Sequence, residues 1–358
     1  MIYFICLIIT ILLVKSLSNK MILKYKNLVK INITPVLVAM PFLLISILRY
    51  NVGKDYMGYV TNYFYVGTDG RDELIFSLII KLANRLNTPH FVAAAWGVIF
   101  CLFMFCTIYR LSENKVMSVV LLLLTGFFFM SLSAMRQGAA TATVLFAFSY
   151  LRKKDYIKFY IFVVFASMMH STSIVYAVIP LILLFLENTS LKKQNKFKKI
   201  FIVACAIIYL QSSNIRTFMI FIAFKFDFYA KAFNSIYDTG NLSGSFLFYT
   251  VPFFLICLIS SSIDKEESLE FNCYWLCAAL AMLSTVLMPI IPNAERIIYL
   301  FLPVEIVSVP FITNRISKKR LRYLSLFILF ITSFTAFYVF HITNDTYSVM
   351  EYHFIGGL

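Results

Sequence analysis

Val116-Met-Ser-Val-Val-Leu-Leu-Leu-Leu-Thr-Gly-Phe-Phe-Phe-Met-Ser-Leu-Ser-Ala134 carries no charge, and Met135-Arg-Gln-Gly-Ala-Ala140 follows it without a linker. An uncharged run of this length is enough to cross a roughly 30 Å hydrocarbon core as a helix. Working outward, similar runs fall at 1–15, 33–48, 91–109, 137–151, 157–170, 172–187, 199–212, 245–262, 271–289, 296–313 and 323–341. With 116–134 they predict about twelve transmembrane helices, of which 137–151, 157–170 and 199–212 are short for a full span. None alternates polar and apolar residues as a membrane barrel strand would. The expected fold is all-α and polytopic: one integral membrane domain over 1–358, GT-C-like, with amphipathic interfacial helices on the outer side.

Composition agrees. The 358 residues are 61% hydrophobic and 14% charged, whereas soluble domains run nearer half apolar and a quarter charged. A soluble chain of this size has too little interior to hide so much apolar surface. The net charge of +15 is read as basic cytoplasmic loops rather than as a nucleic-acid footprint. All seven cysteines fall in apolar runs, at spacings that suit neither a zinc site nor a disulfide framework. The run Met1–Val14 lacks a basic stretch before it and a small-residue cleavage site after it, so it reads as a first helix that is kept.

Charge sets the orientation. Lys15, Lys20, Lys24, Lys26 and Lys30, then Arg152, Lys153, Lys154 and Lys158, then Lys192, Lys193, Lys196, Lys198 and Lys199, then Arg315, Lys318, Lys319, Arg320 and Arg322 occupy alternate loops. About 22 of the 32 basic residues lie on this side, which makes it cytoplasmic and both termini external. Two outer segments are longer than connectors. In 49–90, a helical pattern from Asp72 to Leu86 puts Ser77, Lys81, Asn84 and Arg85 on one face and Leu74, Ile75, Leu78, Ile79 and Leu82 on another, as in a helix lying at the membrane surface. The second, 213–244, mixes charges with many aromatics and is expected to lie against the bilayer too.

The outer basic residues carry the functional signal, because the rule that explains the inner ones selects against them. Arg136 stands where one span ends and the next begins. Arg296 follows Glu295 at a span start, His170 ends a span, and Arg49 and Asp55 flank Gly53. Arginine offers phosphate oxygens a rigid fork of donors, and a helix start adds the dipole. Histidine titrates near neutral pH and can take a proton from a hydroxyl; an aspartate could do the same or orient a sugar. Such a set suits glycosyl transfer from a lipid pyrophosphate. Arg136 and Arg296 would hold the pyrophosphate with Arg216 or Arg49 as helpers, and His170 or Asp55 would be the base. Each also has a bland reading. A lone arginine at a span end can be an anchor that snorkels to headgroups, an aspartate in a glycine turn can cap it, and the tyrosines of 50–65 can form an interfacial belt.

Absences narrow the chemistry. There is no Asp-x-Asp for a metal-bound sugar nucleotide, no phosphate-binding Gly-rich loop ending in Lys-Ser or Lys-Thr, no Gly-x-Ser-x-Gly and no His-Glu-x-x-His. No metal or other cofactor is expected. Intramembrane acids are few, Glu305 being the clearest, whereas a proton-coupled transporter usually shows more.

Three blocks resemble the EpsG-like group of Wzy-type polysaccharide polymerases. Val52-Gly-Lys-Asp-Tyr-Met-Gly-Tyr59 is similar to the family's Gly-x-Asp-Tyr-x-x-Tyr stretch. Met135-Arg-Gln-Gly-Ala-Ala140 through Met169-His-Ser-Thr-Ser-Ile174 resembles its Arg-Gln-x-x-Ala and Ala-x-x-x-His-x-Ser elements, and Glu295-Arg-Ile-Ile-Tyr299 its late Arg-x-x-Tyr element. The resemblance implies an extracytoplasmic polymerase of the bacterial inner membrane that joins repeat units carried on undecaprenyl pyrophosphate into O-antigen, capsule or exopolysaccharide, with or without a chain-length regulator. It carries over Asp55, Arg136, His170 and Arg296, with Tyr56, Tyr59, Gln137, Glu295 and Tyr299 as motif neighbours. Where the family often has Glu-Pro, this chain has Glu73-Leu74, a departure expected to touch no proposed catalytic group. Two other classes would also use such residues: a flippase for lipid-linked oligosaccharide, with charges at mid-membrane reachable from both sides, and a membrane O-acyltransferase.

Overall fold

In a computed structural model, residues 1–358 are described except 18–21, 26–28, 63, 65–72, 226–242, 260–267, 293 and 357–358. The described residues are mainly helical and include one antiparallel hairpin, β1 (Ile22–Tyr25) and β2 (Val29–Asn32), paired from Ile22–Asn32 to Tyr25–Val29. The hairpin lies in the first basic loop, where no strand is expected from the sequence. The chain divides into two compact units, Met1–Val178 with Phe340–Leu358, and Ile179–Val339.

The first unit holds α1 (Ile2–Ser16), α2 (Thr34–Ile47), α3 (Leu74–Arg85), α4 (Phe91–Leu111), α5 (Lys115–Leu124), α6 (Phe127–Ser133), α7 (Met135–Leu151) and α8 (Tyr156–Ser167), then a 3-10 turn at Ser171–Val178. Helix α7 is its centre. Every α7 residue but Arg136 and Tyr150 is buried, and α7 packs on α4, α6 and α8. Its small residues allow that closeness: a Cβ on Gly138 would stand 2.7 Å from the Ser131 Cα in α6. Helices α5 and α6 bend by 52° at Thr125–Gly126. Gly126 sits at φ +70°, and a Cβ there would meet the His341 ring. The last residues return to clasp the loop after α2. Tyr50, Gly53 and Lys54 donate backbone N–H groups to the carbonyls of His353, Ser348 and Tyr347, and Tyr3 donates its hydroxyl to Val349 O at 2.6 Å.

The second unit holds α9 (Ile179–Glu187), α10 (Leu191–Leu210), α11 (Ser212–Lys225), α12 (Ser243–Ile259), α13 (Ser268–Leu287), α14 (Ala294–Phe301), α15 (Glu305–Asn314) and α16 (Lys319–Phe337). Helix α13 is central, packed on α9, α10, α12 and α14. Helix α15 buries Glu305 completely. On α16, Ser325, Leu329 and Ser333 face inward, while Phe327, Ile331 and Phe334 are exposed. An exposed apolar row of this kind suits lipid rather than water.

The described residues of each expected span fall largely on helix, 260–262 lying outside them, but length does not support a count of twelve. Among the described residues, four stretches are long and apolar enough to cross a membrane: Phe91–Leu111, Leu269–Leu287, Ala294–Asn314 and Lys319–Thr343. The number rises to six if Lys115–Leu124 with Phe127–Ser133, and Lys196–Leu210 with Ser212–Lys225 (bent by 73°), are each one span. The other apolar helices are shorter than the roughly 20 residues a straight crossing needs. The chain is a membrane protein by these helices.

Helix α3 confirms the amphipathic reading but splits its apolar side in two. Phe76, Ile80 and Ala83 are buried against the protein, whereas Leu74, Leu78, Leu82 and Leu86 form an exposed row at i, i+4 spacing. In the outer segment 213–244, residues through Lys225 are helical, and 226–242, with Asp227, Lys231 and Asp238, lie outside the described residues.

Candidate functional site

The site grows from the break between α6 and α7. Ala134, at φ −80° and ψ 64°, ends one helix and begins the other, so Arg136 falls in the first turn of α7 rather than inside a continuous span. Gly53 makes the break reachable. At φ +108° it lies so close to the α6 backbone that a Cβ would collide with the Leu132 carbonyl, a backbone setting that favours glycine. Beside it, the Arg49 guanidinium donates to Leu132 O at 2.6 Å.

Glu73, the residue before α3, reaches this break from the other side. Its Oε2 accepts from Arg136 at 2.8 Å, and its Oε1 accepts the Ser171 backbone N–H at 3.0 Å. His170 Nδ1 stands 3.5 Å from the same Oε1. Ile75 N donates to Met168 O, pinning the start of α3 to the turn after α8. Arg136 Nε also donates to the Tyr59 hydroxyl at 3.3 Å, and its guanidinium lies 4.3 Å from the centre of the Phe76 ring. The Arg136, Glu73 and His170 side chains keep 17%, 16% and 19% of their surface exposed, so a ligand can reach them. Burial by itself raises the Glu73 carboxyl. The Ser171 N–H, its own N–H, Arg136 and His170 outweigh that and hold it below the ordinary value of 4.5. The site therefore sets a guanidinium and a carboxylate beside the His170 ring.

The sequence singles out Arg136 and His170, and the structure joins them through a third residue that it does not. The departure from the family's Glu-Pro is at Leu74, which is exposed; Glu73, the residue kept in that pair, is the one that touches both. Its signal was faint, since one acid before an apolar helix also reads as an ordinary helix-start charge. Tyr59 is buried against Phe76 and joins the cluster. Gln137 is buried beside Arg136 on α7. Among the described residues Asp55 makes no ion pair or side-chain hydrogen bond; its carbonyl accepts from Tyr59 N.

Arg49 and Tyr56 have structural settings. Arg49 is fully buried. Burial pulls its pKa down to about 10, which leaves it a cation at neutral pH. Tyr56 is also fully buried rather than part of an interfacial belt. The Ile47 carbonyl can only accept, so His90 donates to it from Nε2, and His90 Nδ1 is left to accept the Tyr56 hydroxyl at 2.8 Å.

Four further residues belong to the second unit. Arg216 on α11 donates to Pro289 O at 3.1 Å, in the turn that leads to α14. Glu295 and Arg296 lie in the first turn of α14, half-buried and exposed respectively. Tyr299 is buried and packs edge-on against Phe246, with ring centres 5.8 Å apart.

At the other end of α7 the chemistry is different. Arg110 donates to Ser149 Oγ and Arg152 donates to Arg110 O, each at 3.3 Å, next to exposed Lys153 and Lys154. The 17 residues of α7 at 1.5 Å each put roughly 25 Å between this basic end and Arg136.

A family model described as the EpsG family matches residues 32–354. No curated protein and no solved structure matches the chain.

Proposed function

The chain belongs to the EpsG family, and from that premise we propose that it is an extracytoplasmic polymerase that joins oligosaccharide repeat units carried on undecaprenyl pyrophosphate. The observation that carries the reading is the Arg136–Glu73–His170 cluster at the α6–α7 break. A phosphate binder and a proton acceptor stand together there on a partly exposed surface.

In the reaction, a hydroxyl oxygen of the acceptor unit attacks the anomeric carbon of the donor sugar. The bond from that carbon to the diphosphate breaks, and its electron pair leaves with the lipid diphosphate. The hydroxyl proton passes to His170. Arg136 stabilises the charge that builds on the leaving group. Phosphate and proton are thus handled by side chains alone, without a metal.

Sidedness supports an outer site. The rule that concentrates Lys and Arg in the cytoplasm puts the Arg110–Arg152 end of α7 inside, and the cluster lies at the opposite end. On this reading both termini are external, the membrane is the bacterial inner membrane and the architecture is GT-C-like.

The test is a glycan chain-length assay in a strain deleted for the gene. Arg136→Ala and His170→Ala should each leave single repeat units displayed outside. Full-length polymer from variants made at normal levels would sink the assignment. Single units trapped inside would point to a flippase instead.

A further inference from the structure

Glu73 has more contacts than its place at a helix start requires. A helix-start carboxylate needs only its own first turn, yet this one reaches the first turn of α7 and the turn after α8. Its two oxygens have divided duties: Oε2 takes Arg136 at 2.8 Å, and Oε1 takes the Ser171 N–H at 3.0 Å with His170 Nδ1 3.5 Å away. The last separation is longer than a formed hydrogen bond, as catalytic contacts often are before substrate binds. The charged and polar groups facing the carboxylate are Arg136 from α7 and His170 with the Ser171 N–H from the turn after α8. Tyr59 touches Arg136 from the first outer loop.

We propose that Glu73 is the positioning residue of this site: it fixes His170 through Nδ1 so that Nε2 is presented for proton transfer, and it holds Arg136 until a phosphate takes that guanidinium. This rests on the polymerase reading for what Nε2 acts upon, but not for the geometry. A neutral imidazole carries one proton. If Nδ1–H points at a carboxylate, Nε2 has the free lone pair a base needs, the logic by which an acid orients a histidine in hydrolase triads. When phosphate oxygens replace Oε2 on Arg136, the Glu73 charge is left to Ser171 and His170, and the open contact can close. Anion binding and base orientation then become one event.

The prediction separates carboxylate from amide. Glutamine has one accepting oxygen where glutamate has two. The charge-assisted bond to Arg136 is the stronger, so in Glu73→Gln the oxygen turns to Arg136, the Ser171 N–H loses its acceptor and the NH2 group faces His170. Nδ1 then has to accept, and the proton moves to Nε2.

The experiment is NMR of the full-length protein in lipid nanodiscs with nitrogen-labelled histidine. The chain has four histidines, and the His170→Asn spectrum identifies the His170 resonances. Imidazole nitrogen shifts should report Nδ1–H in the wild type, Nε2–H in Glu73→Gln and Glu73→Ala, and Nδ1–H again in Glu73→Asp. Polymerisation by Glu73→Gln should fall about 10²- to 10⁴-fold in kcat, with KM held within about threefold and partial recovery in Glu73→Asp. A His170 tautomer that is the same in wild type, Glu73→Gln and Glu73→Ala overturns the proposal, whatever the protein polymerises. A tautomer that moves as expected in a wild type that elongates no glycan leaves Glu73 in place and overturns the polymerase reading.

Discussion

Arg49 and Arg296 are both outer arginines by sequence, and the structure gives them opposite settings. Arg49 is buried and donates to Leu132 O; Arg296 is exposed in the first turn of α14. Charge marks a residue as costly near a membrane but does not tell whether a carbonyl inside the protein or a ligand outside balances it. Arg49→Ala leaves the Leu132 carbonyl with one donor fewer and should cost about 1–3 kcal/mol, read as a lower melting temperature of the detergent-solubilised protein. Arg296→Ala, at an exposed position, should lower melting less than Arg49→Ala does and, on the reading above, shorten the glycan. Equal melting for both variants would remove the structural role given to Arg49. Glu73 adds a pH dependence. Its folded carboxyl ionises below the ordinary 4.5, so its stabilisation is fully present above that value and is lost as pH falls through the lower, folded value. Melting temperature should therefore drop on acidification below 4.5 in the wild type and drop less in Glu73→Gln; parallel curves would contradict a carboxylate stabilised by Arg136 and the Ser171 N–H.

At the scale of elements, the sequence makes helices legible and leaves their breaks illegible. An apolar run reports that a helix can form, since period and length are visible in it. It does not report where the run bends, because the bend between α5 and α6 depends on φ at Gly126 and on a ring more than two hundred residues away in the chain, His341. The site divides in the same way. Arg136 and His170 are legible as polar residues at span ends. Glu73 is not, because what makes it central is the seating of α3 on the turn after α8, a long-range contact that no local pattern encodes. The clasp of 347–355 on the loop after α2 is hidden for the same reason. Gly53 tests how far this scaffold matters. Gly53→Ala adds a Cβ where the Leu132 carbonyl already stands, at a φ that L residues rarely adopt, and should cost about 1–3 kcal/mol. Because Leu132 lies just ahead of the α7 start, the variant should also, on the proposed function, lower polymerisation, whereas Gly58→Ala, which meets nothing within 4 Å, should leave both unchanged. Similar melting and chain length for the two variants would separate the loop from the site.

For the whole molecule, the open quantity is which ends of the helices face the cytoplasm, and α4 is the element that can settle it. It runs from Phe91 to Leu111, passes for a full span by length and composition, and belongs to the same unit as the cluster. Thr88, just before it, and Lys153, next to Arg152 at its far end, are both exposed. The basic residues gathered at the Lys153 end predict that it is cytoplasmic. The native cysteines give little background for a thiol probe, being buried except for half-buried Cys106. A membrane-impermeant maleimide should therefore label Thr88→Cys in intact spheroplasts and Lys153→Cys only after the membrane is opened. Because α4 fixes both ends in one crossing, the result does not depend on how many of the shorter helices span. The reverse pattern would put the Arg136–Glu73–His170 cluster in the cytoplasm. An extracytoplasmic polymerase could not work from there, even if every contact within the cluster were correct.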